Sequence, residues 1–522
     1  MHYKRAVGLV AAAAVACVAA APASAAPSGS EELQNALTVK NIVNHERQLA
    51  AIAGRNGGTR ASGTAGYDKS VDYVMKKLTK AGYEVSKETF NFAYFEETGP
   101  ASLTRVSPSP KTYTEDDFSV MQYSGSGTAE AKVVPVDVTV PATPEPSSTS
   151  GCEASDFAGF TPGSIALIQR GTCPFGDKAQ NAKAAGASAV VIFNEGQPGR
   201  TDGQGGTLGA PIDIPVVFST YAAGAELVEL AKAGDVTLNV TTSTISENRP
   251  TYNVIADSPT GRKNRTVVVG AHLDSVVEGP GINDNGSGTS VNLETALQMA
   301  KKGIEPRNRV RFAFWGAEES GLLGSTDYVG KLSDAERDKI AANLNFDMLG
   351  SPNYARLVYD GDGSDNPDTG PGPVGSDTIE RIFNRHFASK GLATEPTAFD
   401  GRSDYGPFIE VGIPAGGLFS GAEELKTAEQ QAKFGGTAGL ALDPCYHQAC
   451  DGINNLNRQA LDELGDGAAD AVYTLAERKK SIVVLKKAKT AKAAKARTAK
   501  ASKASSKKLA RSFNYRGSHL FR

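Results

Sequence analysis

Apolar residues recur at helical spacing through LQNALTVKNIVNHERQLAAIA and again through GYDKSVDYVMKKLTK. The first stretch predicts a helix and loop over 31 to about 60. The second predicts a helix that stops at Gly82 and passes into a strand, EVSKETFNF. From about 100 to 250 the texture changes, and short strands alternate with turns rich in Pro, Gly, Ser and Thr. Within it, GSIALIQRGTCPFGDKAQNAKAAGASAVVIFN reads as strand, turn, Ala-rich helix and strand, a βαβ-like unit. After Pro250 strand and helix alternate again. RTVVVGAH is a continuous apolar run, of the kind buried on both faces in an α/β sheet. TSVNLETALQMAKK follows as an amphipathic helix with Leu293, Ala296, Leu297 and Ala300 on one side. RVRFAFWGAEES and IAANLNFDML predict two more strands, and NRQALDELGDGAADAVYTLAERK a closing helix. The order is α/β, then an inserted β-rich module, then α/β again.

Length changes this picture little: 522 residues suit two or three domains. The opening MHYKRAVGLVAAAAVACVAAAPASAAPS changes it more. Lys4 and Arg5 precede an apolar run over 6–21, and Ala23-Ser24-Ala25 forms an A-x-A site, so a secretory leader cleaved after Ala25 is expected. That run is short for a membrane span, and no other stretch is long and apolar enough for one. The expectation is a soluble exported protein. Cys17 leaves with the leader. Cys152, Cys173, Cys445 and Cys450 remain, and an even count after export favours two disulfides, with chain order suggesting Cys152–Cys173 and Cys445–Cys450. Free thiols are the other reading. The net charge of −3 hides an asymmetry: from Arg478 onward there are 16 Lys and Arg and no Asp or Glu. Setting these and the leader's two basic residues aside leaves 37 basic against 58 acidic residues over 26–477, a net of −21. The low-complexity tail, KKAKTAKAAKARTAKASKASSKK, is either a solvated extension or an adhesive for polyanions such as nucleic acid or an anionic cell wall.

Chemistry gathers at the predicted strand ends. The first ends at His272, the second at Glu318-Glu319, the third at Asp347. Asp284 lies in a glycine-rich turn and His447 in DPCYHQAC. In an open α/β sheet the carboxyl ends of strands meet at one crevice. Five oxygen and nitrogen donors without a thiolate suit zinc or a similar divalent ion. Five donors with one shared give three to each of two ions, so the count favours a two-metal site. Glu318 and Glu319 are neighbours that point in different directions, so one can bind metal while the other serves as general base; an E-E pair at a helix start is the plainer reading. Asp274 can accept the second N–H of His272. His45 and His386 are expected on helical surfaces. H-E-x-x-H, G-x-S-x-G and P-loop motifs are missing.

GAHLDSV, GINDNGSGTS, FAFWGAEESGLLGS, NFDMLGSPNY, GRSDYGPF and DPCYHQACD occur in that order, and together they resemble the M28 family of zinc aminopeptidases, most of all its secreted bacterial leucine-type members. The likeness covers about 40–100 and 250–477. The segment 125–248 resembles a protease-associated (PA) domain, a module often inserted in this family and thought to cover or gate the site. The resemblance implies an α/β fold with a mixed central sheet flanked by helices, interrupted by a β-rich PA insertion. It divides the chain into a leader (1–25), a first peptidase part (31–110), the PA insertion (111–248), a second peptidase part (249–477) and the basic tail (478–522). It implies two zinc ions per chain, one on His272 and Asp347, the other on Glu319 and His447, with Asp284 bridging. It makes Glu318 the general base and acid, and Tyr446 a group that polarises the scissile carbonyl. Arg402 and Asp404 fall in a substrate-facing loop, and Phe419 in the wall of an apolar pocket. It also implies a cis bond at Asp284-Asn285, and gives Cys445–Cys450 the task of fixing the turn that presents His447. Some relatives hold calcium near the positions of Asp462 and Asp466; an acidic N-terminal ligand to match is missing here.

The implied partners are peptides with a free N-terminus, met by a monomer without a specific nucleic-acid or membrane partner. A carboxypeptidase of the same superfamily is a second enzyme reading and would need a basic cluster for the substrate carboxylate. A glutaminyl cyclase would use one zinc. A binding protein that attaches to surfaces through the PA module and tail is the non-enzyme reading.

Overall fold

The computed structural model describes residues 29–203 and 205–483. The expected leader, His2, His519 and most of the basic tail lie outside these residues.

The strand Arg262–His272 is the centre of the fold. Side chains of a strand alternate between faces, and here both faces are covered. Val267 and Val269 join a large core on one side, whereas Val268 joins a smaller cluster with Trp315, Tyr328 and Phe408 on the other. The neighbouring strand Asn308–Trp315 repeats the pattern: Phe312 and Phe314 face the large core, Ala313 and Trp315 the smaller one. This is why both segments read as unbroken apolar runs. Across the sheet the order is Glu395–Thr397, Leu357–Tyr359, Ala415–Phe419, Ile340–Phe346, Arg262–His272, Asn308–Trp315 and Thr237–Asp257. The four strands from Ala415–Phe419 to Asn308–Trp315 are mutually parallel, and the Thr237–Asp257 strand is antiparallel to them. The sheet is therefore mixed, as the α/β class requires.

Helices Val39–Arg55, Ala65–Lys80, Gly288–Lys301, Ser376–Ser389 and Arg458–Ala476 contribute to the large core. Thr38, Thr64 and Asn457 cap three of them by accepting backbone N–H bonds. The helix Gly288–Lys301 corrects the amphipathic expectation. Leu293 and Ala296 are buried, but so are Asn292, Glu294, Thr295 and Gln298, while Leu297 is half-buried and Ala300 exposed. The cause is cover on its outer side by the N-terminal helices, which pack against it. His45 and His386 are likewise buried rather than at the surface. His45 contacts Glu294 at 3.0 Å and Tyr73 at 2.5 Å, and His386 lies 3.7 Å from Asp470.

Two long strands, Glu84–Ser107 and Thr237–Asp257, form an antiparallel ribbon from this body into a second one. The second body has the strands Gly127–Val136, Ile165–Gln169, Ala189–Phe193, Val216–Ser219 and Phe118–Val120, with helices Phe175–Ala184 and Tyr221–Ala233. It has its own cores on the two faces of its sheet. The βαβ-like unit read from the sequence is here, with Ile165–Gln169 and Ala189–Phe193 paired in parallel. The ribbon's register slips between Glu97 and Gly99, a bulge where it passes from one body to the other.

Candidate active site

Parallel strands end at one edge of the sheet, and their last residues supply the site. His272 ends its strand, and Asp347 follows directly on Ile340–Phe346. Glu318 and Glu319 lie three and four residues beyond Trp315. Ala317, Met348 and His447 adopt left-handed backbone at φ 52°, 54° and 56°. Each such residue costs about 1–3 kcal/mol, and these three lie at or beside Glu318, Asp347 and His447. The Cys445–Cys450 disulfide closes the turn that carries Tyr446 and His447, and the Cys152–Cys173 disulfide lies in the second body. The Asp284-Asn285 peptide bond is cis.

The five expected donors come together. Nε2 of His272 lies 3.2 Å from Asp347 Oδ1 and 3.2 Å from Asp284 Oδ1. Nε2 of His447 lies 3.2 Å from Asp284 Oδ2 and 3.0 Å from Glu319 Oε2. Asp284 thus turns one oxygen to each imidazole. The donor atoms of His272, Asp284 and Glu319 lie within 4.8 Å of one another, and so do those of His272, Glu318 and Asp347.

These contacts fit cations. Nδ1 of His272 faces the carbonyl oxygen of Asp274 at 3.2 Å, with the Asp274 carboxylate at 3.7 Å. A carbonyl only accepts, so the network assigns an N–H to Nδ1, and in the neutral ring Nε2 then keeps a lone pair. That lone pair points at two carboxylate oxygens, an arrangement that repels unless positive charge sits between. Glu319 Oε1 is also buried without a hydrogen-bond partner. The acidity of the groups carries the same demand. Burial opposes protonation of His447, yet Glu319 and Asp284 push it up to about 11. Burial opposes it at His272 too, and Asp347 and Glu318 outweigh it. Burial and the charge of Asp284 push Glu319 up to about 7. Two imidazoles and several carboxylates without a thiolate are a hard-to-borderline set suited to a divalent ion such as zinc.

Around these groups the cleft is lined by Glu318, Tyr446, Arg402 and Phe419. Burial and the charges of Asp404, Glu319 and Asp347 raise Glu318 well above the usual carboxyl range, against the pull of His272. The Tyr446 ring stacks on His447 at 3.8 Å, and its hydroxyl is 3.4 Å from Arg402, which pairs with Glu423 at 2.8 Å. Asp404 is not on the cleft wall: it is 1% exposed and lies behind, where its charge acts on Glu318. Asp274 reaches both sides, its carbonyl toward His272 and its carboxylate accepting the backbone N–H of Glu318 at 3.3 Å. Among the described residues, Asp462 and Asp466 do not join a third acidic side chain in a cluster able to hold an ion.

Four supporting residues carry no sequence signal of their own role. Asp451 accepts the backbone N–H groups of Asn283 at 2.8 Å and Asp284 at 3.0 Å. Ser403 donates to Asp347. Arg60, fully buried, donates to the carbonyls of Leu273, Pro280 and Gly281, on the two segments that carry His272 and Asp284. Glu46 is buried nearby, and its charge acts on Arg60.

The chain matches the model of peptidase family M28 over residues 253–472 and that of the PA domain over 129–227. It is 50% identical to an aminopeptidase of Pseudomonas aeruginosa over 444 residues, 84% of this chain and 81% of that protein. It is 39% identical to leucine aminopeptidase 2 of Arthroderma otae over 449 residues, 85% of this chain and 86% of that one. Among solved structures it is similar to a zinc aminopeptidase from Bacillus subtilis, with a TM-score of 0.56 and 26% identity over 86% of this chain and 97% of that chain. Identity of one residue in two across most of both chains, with the five donors gathered at one sheet edge, shows that this protein belongs to peptidase family M28 and carries an inserted PA domain.

Proposed function

We propose that the protein is a secreted zinc aminopeptidase that removes a large apolar residue from the N-terminus of peptides. The observation that carries the reading is the division of Asp284, one oxygen toward His272 and one toward His447. His272 and Asp347 would hold one zinc, Glu319 and His447 the other, with Asp284 shared. Zinc so held supplies Lewis acidity, which polarises a carbonyl and lowers the pKa of a water from about 15.7 to about 7.

The chain's own residues do the rest. The Glu318 carboxylate accepts the proton of the attacking water as its oxygen bonds to the scissile carbonyl carbon. As the carbon–nitrogen bond breaks, Glu318 delivers that proton to the leaving amine. Burial raises its proton affinity above that of an ordinary carboxylate, which suits a group that takes up a proton and returns it. Tyr446 donates a hydrogen bond from its hydroxyl to the developing oxyanion and keeps its proton. The carboxylates of Glu318 and Asp347 face the substrate's α-ammonium. Phe419, Tyr359 and Met348 make an apolar wall for one side chain. That cavity is small, about 70 Å³, in keeping with room for one terminal side chain.

The carboxypeptidase reading lacks support, since the only Lys or Arg among the lining residues described, Arg402, is already paired with Glu423. Two disulfides accord with export to an oxidising space. The test is a panel of aminoacyl-p-nitroanilides with and without zinc, beside a peptide ending in glutamate. Zinc-dependent release of leucine is expected. Release from the C-terminus instead would reverse the reading.

A further inference from the structure

A second cavity, of about 330 Å³, opens on the far side of Glu319, which lines both. Its walls come from five places: Ala61 and Ser62, the ribbon over 92–97, Gln122 and Tyr123 of the inserted body, the loop 274–278 that follows His272, and Glu319 with Ser320. Its size lies in the range of ligand sites, about 300–1,000 Å³, whereas the smaller cavity holds little more than one side chain. Because Glu319 lines both, a peptide with its first residue in the small cavity has the large one beside it to take the residues that follow.

The chemistry of the large cavity is one-sided. Among the described residues its lining has five carboxylates and no Lys, Arg or His. Of these, Glu96 accepts from the Tyr94 hydroxyl at 2.6 Å. Glu97 and Glu278 have no ion-pair partner among the described residues, and burial together with the charge of Glu278 raises the Glu97 carboxyl. Oδ2 of Asp274 and Oε1 of Glu319 are buried without hydrogen-bond partners, and both residues line the cavity. The Asp274 side chain is 1% exposed and the Glu319 side chain 9%. The aromatic rings of Tyr94, Phe95 and Tyr123 complete the wall. A cation over such a ring is attracted to its face, and Arg249 already sits 3.7 Å from the Tyr94 centroid, held by Glu247.

We propose that this cavity receives the residues that follow the cleaved bond and selects peptides with Lys or Arg at the first or second of those positions. The inference rests on the aminopeptidase reading and adds a substrate class to it. A positive side chain there meets Glu97 and Glu278 within a partly desolvated space, and a negative one meets repulsion.

The test uses the full, zinc-loaded chain and follows leucine release from Leu-Arg-Ala and Leu-Ala-Arg against Leu-Glu-Ala and Leu-Ala-Glu, with Leu-p-nitroanilide alongside. At low salt the basic peptides should have about tenfold or higher kcat/KM than the acidic ones, and added salt should shrink the ratio. In the double variant E97Q/E278Q the ratio should fall toward one. The ratio is taken within each preparation, so a misfolded fraction cancels. Equal kcat/KM for the two charges in the wild type, or a ratio that survives both substitutions, overturns the proposal. Turnover of Leu-p-nitroanilide without discrimination among peptides sinks this proposal alone. Silence toward every substrate sinks the aminopeptidase reading and this one with it.

Discussion

Glu318 and Glu319 are chemically identical neighbours placed in different company. Both are raised by burial, but Glu319 faces an imidazole at 3.0 Å, while Glu318 also meets the charges of Asp404, Glu319 and Asp347. On the proposed mechanism this difference leaves Glu319 to hold metal and Glu318 to carry the proton. Glu318→Gln keeps the shape and all five donors, so it should retain bound zinc by metal analysis while kcat falls about 10²–10⁴-fold. Normal turnover in that variant would remove Glu318 from the mechanism. Arg60 acts at one remove. Its planar fork spans three carbonyls that a single ammonium cannot reach together. Arg60→Met leaves those buried acceptors without a donor and should cost about 3–5 kcal/mol, read from urea unfolding. Arg60→Lys should recover little of this; full recovery would mean that charge alone matters.

At the scale of elements, close packing of strands decides where the donors sit. A Cβ on Gly417 would lie 1.8 Å from the carbonyl oxygen of Asn345, across the pairing of Ala415–Phe419 with Ile340–Phe346. Gly417→Ala must push apart the strand that leads into Asp347, so it should lower both the unfolding midpoint and the affinity for zinc. Gly330, near the end of the helix Leu323–Lys331, has nothing within 4 Å of its added Cβ. Gly330→Ala should be neutral or stabilising by about 0.5–1 kcal/mol. The reverse order of effects would show that the strand spacing is soft. The same packing explains what could be read from the chain alone. His272, Glu319 and Asp347 follow apolar runs whose continuity marks buried parallel strands, so their convergence was legible. His45 was not, because its partner Glu294 lies 249 positions away on a helix whose outer side is covered. The role of Arg60 was equally hidden, since carbonyls as partners leave no trace in residue type. The large cavity depends on a ribbon whose pairing joins Glu97 to Thr244, a contact that local periodicity does not encode.

The described residues form two packed bodies joined by a ribbon, and the five donors lie in one of them. The inserted body has separate cores containing Val191 and Ile192, so heating should give two transitions rather than one. In the peptidase body, donors drawn from positions 272 to 447 bring several carboxylates into contact, within a segment, 26–477, of net charge −21. That crowding opposes folding until cations offset it. A ligand that binds the folded state alone adds stability of RT ln(1 + [L]/Kd), about 4 kcal/mol at a thousandfold excess over Kd. EDTA should therefore lower the transition of the peptidase body and leave that of the inserted body in place, and zinc should reverse the shift. Glu318→Gln, which keeps the donors, should show the full shift, and His447→Ala a reduced one. If calorimetry finds both transitions unmoved by EDTA, the cluster of acids must be stabilised by protons, as the high proton affinity of His447 would then require, and the two-metal reading fails.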